Sequence, residues 1–267
     1  MLTSSRCMRA GLRVMTLLAL CASAPHLVRS AMAEGYPGFG LNTSRVVLMA
    51  GDRTSGAPVA LNNSDHVYLV QSRVYPADGV TGWPLKDVKA GETKTPAPFL
   101  VTPPLQRVGA QGRLQLRILA VPGNRLPADR ESLFFLSVKA IPSDPPAAVM
   151  AQAAPRFSLA LQQFVKLFYR PAGLAAQAIF DGTVAPKLSV SREGNNLRFT
   201  NPTPYYITFL ALTAGGKPVE ASAMRTMVPP LGTQTYPLPA GVVRGEVTWQ
   251  LVDEFGLATK TERRTLN

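Results

Sequence analysis

Residues 156–171 read RFSLALQQFVKLFYRP. From Phe157 the large apolar side chains fall on alternate positions, Phe157, Leu159 and Leu161 against Ser158, Ala160 and Gln162. A repeat of two is a β-strand with one apolar face. After Phe164 the run is almost continuously apolar around a single charge, Lys166, and it closes on Arg170 and Pro171. Two roles fit such a strand. Its apolar side chains can line the core of their own sheet, or they can stay outward for a partner, with Lys166 placed to meet a charge. Periodicity alone leaves both open.

The chain on either side has the same β character. Short runs rich in Val, Leu, Ile and Thr occupy residues 46–49, 57–62, 68–75, 99–102, 114–119, 132–141 and 157–169, separated by Pro and Gly turns. About seven such strands make one immunoglobulin-like sandwich. The tandem Pro103-Pro104 cannot donate ladder hydrogen bonds, so it ends or edges a strand and is compatible with a cis bond. Residues 143–155, rich in Pro and Ala, link the last two strands. At Pro171-Ala172-Gly173 the alternation stops, which marks a boundary, and the short-strand pattern then resumes to residue 267. No convincing helical period and no fixed-length repeat is present.

Residues 1–33 read as a secretory leader. Arg6, Arg9 and Arg13 precede an apolar run over 14–24, and Ala31-Met32-Ala33 fits an A-x-A cleavage site, with Ala22-Ser23-Ala24 competing. The apolar run is shorter than the roughly 20 residues a permanent span needs, so no stable membrane insertion is expected. Taking 33 residues from 267 leaves 234, enough for two domains. Both cysteines, Cys7 and Cys21, go with the leader, so the exported chain holds together by packing without a disulfide. The leader also carries four arginines and no acid, so the net charge falls from +12 to about +8. The basic residues are scattered and lack an aromatic-basic ladder, so nucleic acid is not an expected partner.

Catalytic chemistry has little to build on. The exported chain keeps one histidine, His66, in a polar stretch that reads as a surface loop, and there is no G-x-S-x-G elbow. No zinc signature occurs, and Gly215-Gly216-Lys217 lacks P-loop spacing. The neighbouring carboxylates Asp253-Glu254 are expected to face opposite ways on a strand. No enzyme, metal or cofactor is expected.

Several segments carry a resemblance. LFYRP at 167–171 resembles the end of the G strand in the first domain of the periplasmic pilus (fimbrial) assembly chaperones. LNTSRVV at 41–47, Asn62-Asn63-Ser64 with Tyr68-Leu69-Val70-Gln71, PAPFLVTPPL at 96–105 and LPADRESLF at 126–134 resemble other segments of that domain. LRFTNPTPYY at 197–206, MVPP at 227–230 and LVDEFGLAT at 251–259 resemble the second domain, with Phe255 where Tyr is commoner. The short, cysteine-free stretch over 143–155 matches the short-loop branch.

The resemblance implies an all-β chain of two immunoglobulin-like β-sandwich domains in an L or boomerang. The first would span 34–173, with its G strand at about 156–170, and the second 174–267. It implies a non-enzymatic periplasmic chaperone that binds, folds and caps pilus subunits by donor-strand complementation and delivers them to an outer-membrane usher. Arg45 and Lys166 match basic residues that bind the subunit's C-terminal carboxylate. Phe157, Leu159 and Leu161 match the strand residues that fill the subunit's groove. Arg170 matches an arginine that joins the domains by pairing with two acids, at Glu131 and, with Glu where Asp is usual, Glu254. Lys166 lies five residues after Leu161 and would point away from it on a regular strand, so a twist or bulge near 163–165 is expected to turn it into the cleft. The alternative is a secreted two-domain immunoglobulin-like adhesin, pilus structural subunit or binding module. A pilus subunit would carry its alternating segment at the N-terminus and often a disulfide, whereas here the alternation lies mid-chain.

Overall fold

In a computed structural model of the chain, residues 38–52, 57–78, 81–85, 96–143 and 159–266 are described. The leader over 1–33, the linker residues 144–155 and Phe157 lie outside them.

The strands run β1 Phe39–Leu41, β2 Arg45–Met49, β3 Val59–Asn62, β4 Tyr68–Pro76, β5 Phe99–Thr102, β6 Leu105–Val108, β7 Arg113–Gln115, β8 Arg117–Ala120, β9 Ser132–Pro142 and β10 Leu161–Arg170. They continue as β11 Ser189–Glu193, β12 Asn196–Asn201, β13 Phe209–Ala214, β14 Lys217–Pro218, β15 Gly232–Pro237, β16 Gly245–Leu251 and β17 Glu262–Leu266. Among the described residues the only helical pieces are two three-residue 3₁₀ turns.

In the first sandwich a five-stranded sheet, β2-β10-β9-β4-β6, lies against the smaller sheets β1-β3-β7 and β5-β8. The sequence explains the faces. β4 alternates strictly, with Tyr68, Val70, Ser72 and Val74 inward and Leu69, Gln71 and Arg73 exposed. β9 is instead buried on both sides. Its Phe134, Leu136, Val138 and Ala140 join the sandwich core, while Leu133 and Phe135 pack outward with Phe168 and with Met227 of the second sandwich. A strand covered on both faces reads as a continuous apolar run. The second sandwich sets β11-β12-β15 against β14-β13-β16-β17 around Phe199, Tyr236 and Trp249.

Three details depart from the sequence reading. The run over 114–119 is two strands, because the chain changes sheets at Leu116: β7 pairs with β3 and β8 with β5. Leu116 is fully buried at the crossing, and its N–H donates to Pro58 O at 2.9 Å. Among the described residues the last strand of the first sandwich runs from Leu161, with Leu159 and Ala160 outside it. Asp253 and Glu254 lie in a turn after β16 rather than on a strand: Asp253 Oδ1 accepts the N–H groups of Phe255 (2.9 Å) and Leu257 (2.8 Å). The tandem prolines do end a strand: β5 stops at Thr102, and the Thr102-Pro103 bond is cis.

Candidate functional site

β10 positions the candidate site, and its two flanks differ. Along one edge it is paired with β9 without a register break from Leu161 to Tyr169. Along the other it meets β2 in parallel, but only from Lys166 onward: Lys166 lies opposite Arg45, and Arg170 opposite Met49. Among the described residues, the backbone of 161–165 therefore has a strand on one side only, and the lane upstream of β2 is open. An unpaired edge of this kind is a template for a further strand.

The unbroken register also fixes the faces. Leu161, Gln163 and Val165 share the side of the core residues Leu167 and Tyr169, while Gln162, Phe164, Lys166 and Phe168 lie on the other. The bulge expected near 163–165 is absent from this ladder. Lys166 points away from Leu161 because the strand is regular, and no bulge is needed. Leu159 and Leu161 are exposed at 59% and 40%; Leu161 stands at the start of the core face, and Leu159 precedes the ladder.

On the opposite face, Arg45 and Lys166 stand side by side in a cleft of about 660 Å³ that includes Trp83, Phe135, Phe164 and Leu210. Arg45 is buried, not solvated as a lone strand-end arginine would be. Its Nη1 donates to Val252 O at 2.9 Å, and its guanidinium lies 5.7 Å from the Phe168 ring. Arg45 Nε is buried and has no hydrogen-bond partner among the described residues. Burial lowers the Arg45 pKa to about 10, against the opposing pull of Glu254, Asp253 and Glu131. Burial, with Arg45 alongside, lowers Lys166 from 10.5 to about 8. Among the described residues no carboxylate lies within ion-pair distance of either cation. Two cations share a partly desolvated cleft, an arrangement that an anion with two oxygens would relieve.

A second charge cluster lies deeper. Arg170, 1% exposed, donates from Nε to Glu131 Oε1 (2.5 Å), from Nη2 to Glu254 Oε1 (2.8 Å), and from Nη1 to the carbonyls of Ala175 (2.8 Å) and Ala176 (2.7 Å). Its guanidinium also stacks 4.7 Å from the Tyr205 ring. The carboxylates are occupied in turn: Glu131 Oε2 accepts the Tyr206 N–H, and Glu254 accepts those of Ile179 and Phe180. Burial pushes the Glu131 carboxyl up, opposed by Arg170 and by that N–H. The cluster joins the end of β10 in the first sandwich to loops of the second. Gly256 closes the turn that carries Glu254. Its φ of +84° suits glycine, and a Cβ there would stand 2.5 Å from Ser44 Oγ, next to Arg45.

The sequence did not point to Trp83, Leu210 or Val252 as cleft residues, because each arrives from a distant loop or strand. Phe135 had a signal: the unbroken apolar run of β9 implies a second covered face. His66 is exposed in a loop, and no group of three metal-binding side chains occurs among the described residues.

Comparison with known proteins gives a consistent picture. Residues 38–175 match the family model for the pili and flagellar-assembly chaperone PapD N-terminal domain. Residues 183–263 match that for the pili assembly chaperone PapD C-terminal domain. The chain is 36% identical over 222 residues to the chaperone protein FimC of Escherichia coli K12, covering 83% of this chain and 82% of that one. It is 34% identical over 239 residues to the Escherichia coli chaperone FocC, with 89% and 94% covered. Among solved structures it is similar to the E. coli chaperone DraB, at TM-score 0.67 and 33% identity, covering 85% of this chain and 98% of that one. It is also similar to the Salmonella enterica SafB chaperone solved with the SafA pilin, at TM-score 0.69 and 31% identity, covering 86% and 97%.

Proposed function

The chain belongs to the pili assembly chaperone family, and from that premise we propose that its open strand edge and paired cations together hold a pilus subunit by the end of its chain. It is a fimbrial assembly chaperone, and the adhesin or structural-subunit reading is set aside.

The single observation that supports this site is where the parallel β2–β10 ladder stops. β2 begins at Arg45, so a strand entering the free lane beside 161–165 ends against the two cations. A strand parallel to β10 presents its C-terminal carboxylate there. An antiparallel strand presents its N-terminal ammonium, which Arg45 and Lys166 repel. Charge therefore selects the direction of the added strand, and the fixed chain end sets its register. This is β-augmentation: backbone bonds supply affinity, and side chains facing the groove supply fit. Leu159 and Leu161, with Phe157 preceding them, insert on the core side of the subunit. A fully buried Leu contributes roughly 1.5–3 kcal/mol before ordering costs.

The subunit gains the strand edge and core cover that would otherwise drive aggregation, and no nucleotide is consumed. Arg170, Glu131 and Glu254 hold the two sandwiches so that the cleft keeps its shape. We place the sandwiches at 34–173 and 174–267, after a leader of 33 residues that sends the chain to the periplasm. The chaperone has no enzymatic role and passes its subunit to an outer-membrane usher.

The test is co-expression with the pilus subunits encoded beside it, followed by capture from the periplasm. Wild type retains a subunit, and Lys166→Ala and Arg45→Ala fold normally but lose it. Retention by both variants would remove the anchor.

A further inference from the structure

The strand-addition site uses the outward face of the five-stranded sheet only at Arg45 and Lys166. None of its strands, β2, β4, β6, β9 or β10, contains an aspartate or glutamate. All six of their basic residues, Arg45, Arg73, Arg107, Lys139, Lys166 and Arg170, lie on the outward side. The register shows this directly: Arg107 stands opposite Leu69, Lys139 opposite Gln71, and Arg73 opposite Ser137, all on the face that continues to Phe135 and Lys166. Arg170 is neutralised by Glu131 and Glu254. Arg73, Arg107 and Lys139 make no ion pair among the described residues. Leu69 (36% exposed) and Leu105 (51%) lie between them. At about 4.8 Å per strand and about 3.3 Å per residue, Arg107 lies some 14 Å across the sheet and some 20 Å along it from the row of Lys166, so the cationic residues run diagonally over the face to the anchor cleft.

We infer that this sheet face is a second contact for the pilus subunit and takes an acidic protein surface flanking the subunit's groove. The inference rests on the chaperone reading above. Two observations carry it: the face is continuous with the anchor cleft on the same side of the same strands, and its charge is of one sign, with no ion pair to Arg73, Arg107 or Lys139 among the described residues. A strand docked along β10 brings the body of its subunit beside this sheet. Cations without partners there raise the encounter rate and resist docking in the wrong orientation.

The experiment measures association and dissociation rates for the co-encoded subunit, presented as a denatured chain diluted into chaperone, over a range of salt concentrations. The sheet-face variant carries Arg73→Glu with Lys139→Glu, and the control carries Lys187→Glu with Lys260→Glu, the same change in net charge on the second sandwich. The expected result is association at least tenfold slower at low salt for the sheet-face variant alone, with a flattened salt dependence and little change in dissociation. Equal rates for both variants, with wild type binding normally, would overturn the sheet-face contact and leave the chaperone function standing. No complex with wild type would overturn both. Thermal unfolding of each variant confirms that reversal has not cost the fold.

Discussion

Lys166 stands directly across a parallel ladder from Arg45, at the point where that ladder begins. Among the described residues no carboxylate lies within ion-pair distance of either cation. The neighbouring Arg170 shows the contrast, since it is equally enclosed but has two carboxylates and two carbonyls. The difference separates charge tied up within the fold from charge with no ion pair among the described residues, and each kind gives its own prediction.

Arg170→Ala leaves Glu131 and Glu254 buried without their cation. Breaking such a network by removing one member costs roughly 3–5 kcal/mol, so the melting temperature falls sharply. Arg170→Lys recovers only part of the loss, because one ammonium cannot span both carboxylates and the carbonyls of Ala175 and Ala176. Thermal unfolding by circular dichroism measures both, and an unchanged melting temperature would show that the cluster holds nothing together.

Leu159→Asp tests the open edge from the opposite direction. The side chain is 59% exposed, so the free protein should unfold within about 0.5 kcal/mol of wild type. Capture of the subunit should be lost, because a carboxylate cannot enter an apolar groove unpaired. A variant that fails to fold would mean that Leu159 faces its own core.

Lys166 gives a pH dependence with two opposite signs. Its pKa of about 8 in the free fold means that the ammonium needed for the carboxylate is lost above pH 8. Subunit affinity should therefore fall between pH 8 and 10, and Lys166→Arg should flatten that fall because guanidinium stays charged. Stability runs the other way. The folded value lies below the unfolded 10.5, so the unfolded chain binds more protons between pH 8 and 10.5, and the free protein gains stability as pH rises through that window. Chemical denaturation at pH 7.5 and 9.5, with Lys166→Met as the control that removes the trend, measures it.

Much of this was legible in the sequence. The short β-rich runs located β4, alternation singled out Leu159 and Leu161, which are exposed, and the continuous apolar run of β9 recorded a sheet covered on both sides. The sheet change at Leu116 was not legible, because nothing local distinguishes a strand that continues from one that switches partners. Nor was the burial of Arg45, whose hydrogen-bond partner Val252 lies 207 residues away. The pattern around Gln163 invited a bulge only because Leu161 and Lys166 were assumed to serve one face. Asp253-Glu254 read as a strand because a turn closed by its own aspartate leaves the same short polar signature.

Whether the paired cations hold a terminal carboxylate is read by comparing two peptides. Each carries the C-terminal residues of the co-encoded subunit, one ending in the free acid and one in the amide, titrated against wild-type chaperone at pH 7. Charge-assisted hydrogen bonds contribute about 1.5–3 kcal/mol each, so the free acid should bind at least tenfold more tightly, and Lys166→Ala should remove most of the difference. Equal binding of the acid and the amide would mean that Arg45 and Lys166 do not hold the chain end.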